Sequence, residues 1–274
     1  MTLGADAPPP YEELVAAWKA LRARDGLSVR EVACVGADRT LLIAEIAAPE
    51  GAPAIAISAG VHGDEPASPW ALLSLARDGL LDLGFGYRIW PCTNPSGYRR
   101  GTRANAEGDD INRSFGRGGT TPESRAIITA NRDRSFALAL DLHEDFEAAG
   151  FYAYEPLTAE GPILARAIVR ALDENAFPVE DLTDEFDLGY PPEAHHLRTI
   201  ERGVVLPDPD LVRPYFPGTP YSLYMLRRAA RRVATFETPR RLAWRDRIAM
   251  HRTAVVTAID RIHATARRTS RGHA

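Results

Sequence analysis

The chain has 274 residues, 45% of them apolar and 26% charged, and a formal net charge of −4. Such a length and composition suit one α/β domain with a large core, and so small an acidic balance gives no field that would draw nucleic acid or anionic lipid. Two cysteines, Cys34 and Cys92, are too few for a zinc site built from thiolates. No stretch reaches the roughly 18 consecutive apolar residues of a membrane-spanning helix. The start, MTLGADAPPPYEEL, has no basic segment followed by an apolar one. The expectation is a cytoplasmic protein in a reducing compartment, with no membrane or nucleic-acid partner.

Residues 11–24 place Leu14, Ala17, Trp18 and Leu21 at helical spacing. Residues 29–35 and 40–47 read as two strands joined by a GADR turn, a hairpin. The apolar run from residue 54 reads as a buried strand that breaks at Gly60 and Gly63 and leads into a helix reaching about residue 81. A further strand over 87–92 is stopped by Asn94, Pro95 and Gly97. Residues 97–121 lack any regular apolar period, and an internal loop of that length is usually functional. A helix over 122–134 begins with proline. The run FALALDL, residues 136–142, reads as a second buried strand, followed by a short strand at 151–154 and a helix over 160–175. Residues 178–219 are irregular apart from a short GVVLPD strand. A helix at 221–232, a strand at 233–237 stopped by Pro239, and a long helix over 243–268 complete the chain. Strands alternating with helices, some strands apolar on both faces, predict a single α/β domain whose mixed, mostly parallel sheet is flanked by helices. The two irregular stretches belong over the carboxyl edge of that sheet, where open α/β sheets bind their ligands.

Three apolar strands end in a titratable group before a loop: SAGVHGDE, LDLHED and ATFETP. If these strands are parallel neighbours, His62, Glu65, His143 and Glu237 meet at one edge. His62, Glu65 and His143 then form a His₂Glu zinc site of hydrolase type with an open fourth position for water. Glu237 is the candidate general base, and Asp141, two residues before His143 on the same strand face, is placed to orient that imidazole. An H-x-x-E pair alone is more often a surface turn than a metal site; the matching strand ends decide for the metal.

In order along the chain, HGDE, NPSG, TR, DINRSF, TPESRA, LDLH and FETP resemble the zinc metallocarboxypeptidases, the carboxypeptidase A clan, over roughly residues 53–240. That clan also holds aspartoacylase, succinylglutamate desuccinylase and murein peptide amidase. The resemblance implies a carboxypeptidase/phosphorylase-like fold and one zinc-hydrolase domain over residues 1–274, with its core at about 27–268. It implies one Zn²⁺ per chain on His62, Glu65 and His143, with Glu237 as the catalytic glutamate and Arg103 polarising the scissile carbonyl. Asn112 and Arg113 match the pair that grips a substrate carboxylate. The implied substrate is a small peptide or an N-acyl amino acid, and the implied activity is that of a metallocarboxypeptidase or, alternatively, an N-acyl amino-acid deacylase. A binding protein on a decayed peptidase scaffold is disfavoured by the complete ligand set.

Two features depart from the family pattern. His143 is followed by Glu144 and Asp145 rather than small residues, so these carboxylates are candidates to line a pocket for a cationic group or to support a second metal. Tyr215, Tyr221 and Tyr224 are each candidates to cover the substrate. His195 and His196 lack acidic neighbours at ligand spacing and are left outside the site. Glu123 reads as a charge favoured by the helix dipole, and the Arg-rich terminal helix as a solvated amphipathic face.

Overall fold

In a computed structural model that describes residues 8–21, 26–32, 40–81, 84–157, 161–183, 198–215 and 217–271, the chain builds one mixed nine-stranded sheet. The strands are β1 (Leu27–Val32), β2 (Leu41–Ile46), β3 (Ala54–Ala59), β4 (Gly86–Trp90), β5 (Leu138–Asp145), β6 (Tyr152–Tyr154), β7 (Arg198–Glu201), β8 (Val204–Pro207) and β9 (Val233–Pro239). Their spatial order is β1-β2-β4-β3-β5-β9-β6-β8-β7. The centre, β4-β3-β5-β9, is parallel, while β2 on β4 and β6 on β9 are antiparallel. The GADR turn, Cys34, His195 and His196 lie outside the described residues.

The helices are α1 (Tyr11–Ala20), α2 (Ala67–Arg77), α3 (Pro95–Arg100), α4 (Pro122–Asn131), α5 (Leu164–Glu174), α6 (Pro209–Val212), α7 (Tyr221–Arg228) and α8 (Trp244–Arg271). Side chains alternate across a strand, so each strand feeds two cores. Ile55, Ile57, Leu138, Leu140, Leu142, Ala234 and Phe236 pack with α1, α2, α5 and α8. Ala56, Ala139 and Val233 pack on the other face with Ile127 of α4 and Tyr221, Tyr224 and Met225 of α7. On α8, Met250, Val255 and Ile259 are fully buried, and each such side chain contributes roughly 1.5–3 kcal/mol. Apolar packing is therefore enough to dock this helix.

Several elements differ from the sequence expectation for local reasons. Residues 95–100, predicted as loop, form α3. Asn94 accepts a hydrogen bond from the Gly97 amide, Pro95 begins the helix, and Gly101 ends it at a φ of +63°. The residues that stop β4 thus also start a helix. The missed β7 pairs antiparallel with β8 across Gly203, which holds a φ of +68°. Pro239 does not stop β9: it sits opposite Asp145, and the Arg240 amide donates to the Asp145 carbonyl at 2.7 Å. Glu123 sits in the first turn of α4, as the sequence suggests, and is fully buried, accepting from the Asn105 side-chain amide at 3.2 Å.

The turn after β3 is held by close backbone packing. A Cβ on Gly63 would lie 1.9 Å from the Gly97 carbonyl carbon and 2.2 Å from the Tyr98 nitrogen. Gly63→Ala must therefore push α3 away, and overpacking of this kind costs about 1–3 kcal/mol. Thermal unfolding should show a clearly lowered Tm; an unchanged Tm would contradict this packing.

On the opposite face, His251 of α8 is fully buried with Nε2 3.1 Å from the Thr238 hydroxyl. Burial, with the nearby His143 and Arg247 charges, pushes its pKa down to about 3, against about 6.5 in an unfolded chain. Between those values the unfolded chain takes up a proton that the folded chain excludes. Stability from this group is thus complete above about pH 6.5 and is lost as pH falls toward 3, with a slope of up to about 1.4 kcal/mol per pH unit. Urea unfolding at pH 7 and pH 5 measures the slope. His251→Gln should flatten it, and an equal slope in the variant would rule His251 out as its source.

Candidate metal centre and cavity

The parallel register brings the strand ends together. Ala59 of β3 lies beside Leu142, and His143 of β5 is paired with Glu237 of β9. By alternation Asp141, His143, Thr235 and Glu237 face the α7 side of the sheet, while Glu144 and Thr238 face α8. Gly60, with a φ of +59°, turns the chain away from β3, and the Glu65 amide closes the next turn on the His62 carbonyl at 3.3 Å. Asn94 adds a tie, its side-chain nitrogen donating to the carbonyls of Val61 and Arg103.

His62, Glu65 and His143 are all buried and offer ligand atoms within 4.8 Å of one another. His62 Nδ1 is 2.5 Å from Glu65 Oε1, His143 Nδ1 is 2.9 Å from Glu65 Oε2, and the two Nδ1 atoms are 3.3 Å apart. Ligand atoms about 2.0–2.1 Å from a tetrahedral zinc lie roughly 3.3 Å from one another, so the imidazole pair has the spacing of two corners of such a site. Two imidazole nitrogens and a carboxylate also match the donor preference of that ion. The far nitrogen of each ring meets a carboxylate. His143 Nε2 is 3.0 Å from Asp141 Oδ2. His62 Nε2 is 3.3 Å from Asp110 Oδ1, at ion-pair distance but not aligned for a hydrogen bond. Such partners fix ring orientation and leave both Nδ1 atoms facing the point of convergence.

The charges reinforce this arrangement. Burial works against ionised Glu65, but the His62 and His143 rings hold its carboxyl well below the usual carboxylate range. Burial likewise opposes protonation of His143, yet Asp141, Glu65 and Glu237 raise it well above the usual imidazole value. The cluster favours positive charge at its centre. Burial pushes Glu237 well above the ordinary carboxylate range; His143 opposes this, and Glu65, Asp145 and Asp141 add to it.

A cavity of about 360 Å³ opens over the cluster, lined by His62, Glu65, Arg103, Asn112, Arg113, His143 and Glu237. Arg103 Nη1 lies 3.3 Å from His62 Nδ1 and its other nitrogens grip Asp110 Oδ2 at 3.0 and 3.2 Å. Asn112 accepts from the Tyr221 amide at 2.9 Å, which turns its amide nitrogen toward His143 Nε2 at 3.5 Å. Arg113 reaches back to the Asn112 carbonyl at 3.1 Å. The remaining wall is largely apolar and aromatic, including Phe146, Tyr152, Tyr154, Pro207 and Leu223.

Some expectations change. Glu144 belongs to the cavity lining, but its carboxylate is buried against α2 and α8, where it accepts from the Ala67 amide and pairs with Arg247. Asp145 lines the cavity, as expected, and also closes a turn by accepting from the Glu147 and Ala148 amides, while Tyr152 donates to it at 2.5 Å. Tyr221 and Tyr224 are buried in the α7 core, and no candidate tyrosine of the three lines the cavity; Tyr152 and Tyr154 of β6 do. Sequence reading also missed Asp110 as the partner of Arg103 and His62. Its position two residues before Asn112 in DINR was the available signal.

Residues 51–176 match the family described as the succinylglutamate desuccinylase/aspartoacylase catalytic domain. Comparison with curated proteins found no match. Among solved structures, a protein of Shewanella denitrificans OS217 assigned as a metallopeptidase is 22% identical, with a TM-score of 0.73 over 92% of this chain and 90% of that one. The metallo-carboxypeptidase of Burkholderia cenocepacia is 17% identical, with a TM-score of 0.67 over 94% and 70%. Carboxypeptidase A of Helicoverpa armigera is 16% identical, with a TM-score of 0.66 over 96% and 75%. The family match covers residues 51–176, and the fold is shared with these metallopeptidase and carboxypeptidase structures along nearly the whole chain.

Proposed function

We propose that the chain is a zinc-dependent amide hydrolase of the metallocarboxypeptidase type, with His62, Glu65 and His143 as its metal ligands. The observation that carries this reading is their convergence on one point, with Glu237 presented beside them from the adjacent strand. A zinc ion bound there would polarise the scissile carbonyl and acidify water. Glu237 takes a proton from the attacking water and delivers it to the leaving nitrogen. Its raised pKa is the direction such a base needs to work near neutral pH. Arg103, braced by Asp110, donates to the carbonyl oxygen as negative charge develops there. Arg113 and the Asn112 amide nitrogen hold the substrate carboxylate, the guanidinium fork binding it bidentately.

The cavity supports a peptidase over a dicarboxylate deacylase. Beyond Arg103 and Arg113, the described lining supplies no further guanidinium for a second substrate carboxylate, and its wall suits an apolar group. The deacylase reading rests on the family match at residues 51–176.

A panel of dipeptides with apolar carboxyl-terminal residues, murein peptides and N-acyl amino acids, assayed with zinc, separates the two. Dipeptide hydrolysis is the expected dominant activity; turnover confined to N-acyl dicarboxylic amino acids would favour deacylation. Glu237→Gln should retain zinc and lower kcat by about 10²–10⁴-fold. Full activity in that variant would falsify the mechanism.

A further inference from the structure

Behind the metal cluster, on the opposite face of the sheet, lies a buried ion pair with no part in the chemistry above. Arg247 of α8 and Glu144 of β5 are 2% and 3% exposed and contact each other directly. Arg247 also stacks over the Trp244 ring at 5.1 Å. Glu144 touches the ligand-bearing turn twice. Its backbone amide donates to Glu65 Oε2 at 3.1 Å, and its carboxylate accepts from the Ala67 amide at 2.7 Å. One residue thus fixes both the Glu65 carboxylate and the first turn of the helix that follows it.

This pair is not needed to dock α8. The helix already buries Met250, Ala254, Val255, Ala258 and Ile259, and apolar residues commonly replace buried ion pairs without loss of stability. A desolvated charge pair at this place is therefore best explained by what it orders. Alternation along β5 gives the connection: His143 faces the cavity as a ligand, and its neighbour Glu144 faces α8.

We propose that Arg247 is a positioning residue which, through Glu144, holds residues 65–67 so that Glu65 presents its carboxylate to the metal. The pair sets metal affinity rather than substrate contact. This inference rests on the metal-site reading above, and the test separates the two.

Zinc dissociation constants, measured by chelator competition well below the Tm of each protein, would be compared for wild type, Glu144→Gln, Arg247→Lys and the double variant Arg247→Met/Glu144→Gln. Glutamine keeps an acceptor for the Ala67 amide, and the double variant removes both charges together, so a loss shared by the double variant is not caused by a lone buried charge. Zinc affinity should fall about 10–100-fold in Glu144→Gln and in the double variant, while Arg247→Lys, which keeps the charge, stays closer to wild type. Affinity within twofold of wild type in Glu144→Gln and the double variant, whatever their Tm, would overturn the positioning role and leave the metal site standing. Wild type that takes up no zinc would instead overturn the metal-site reading, and the positioning role with it.

Discussion

The alternation of β5 between two parallel neighbours is the constraint on which the site depends. His143 faces the cavity with Asp141 on the same side of the strand, and Leu140, Leu142 and Glu144 face α2 and α8. A slip of one residue against β3 or β9 would exchange these sets, burying the imidazole among leucines and turning the ion-paired Glu144 into the cavity. The register is held by apolar residues feeding both faces, so the hydrophobic pattern and the ligand position are one specification. His62 and Glu65 lie beyond the end of β3 and need a second constraint, which Gly63 supplies by letting the turn rest on the α3 backbone.

Charge explains why the centre is chemically unusual. Glu65, Asp110, Asp141 and Glu237 surround two imidazoles, and Arg103 is the cation nearest the ligands from the cavity side. Carboxylates at such density raise the pKa of His143 and repel one another. A divalent cation at the convergence point would relieve both effects. Each imidazole already has a carboxylate at its far nitrogen, which increases its basicity as a ligand. The back of the sheet answers with Arg247 on Glu144, so the anionic cluster meets cations on both faces.

The cavity divides by origin. Its polar floor comes from strand ends and from residues 103–113, and much of its apolar wall comes from β6, the end of β8 and the start of α7. The polar floor is anchored by the ends of the central strands. The wall is built by local segments that follow β5, which can vary without disturbing the His62, Glu65 and His143 cluster.

Much of this was legible in the residues themselves. Apolar runs ending in HGDE, HED and FETP identified the three strands and the titratable groups at their ends, because a buried strand needs a continuous apolar stretch and its end must present polar groups. The α3 helix was missed because Asn94, Pro95 and Gly97 are both breakers and capping residues. Pro239 was read as a stop because its missing amide cannot be seen to be replaced by that of Arg240. Asp110 and Glu144 resemble any surface carboxylate in sequence. Their partners lie far along the chain: His62 is 48 positions from Asp110, and Ala67 and Arg247 are 77 and 103 positions from Glu144. Sequence alone determined which residues could bind a metal and which strands deliver them, since period and residue chemistry are local properties. Only the tertiary structure decided which carboxylates face the cavity and which brace it from behind, since that depends on strand order, register and the face against which α8 packs.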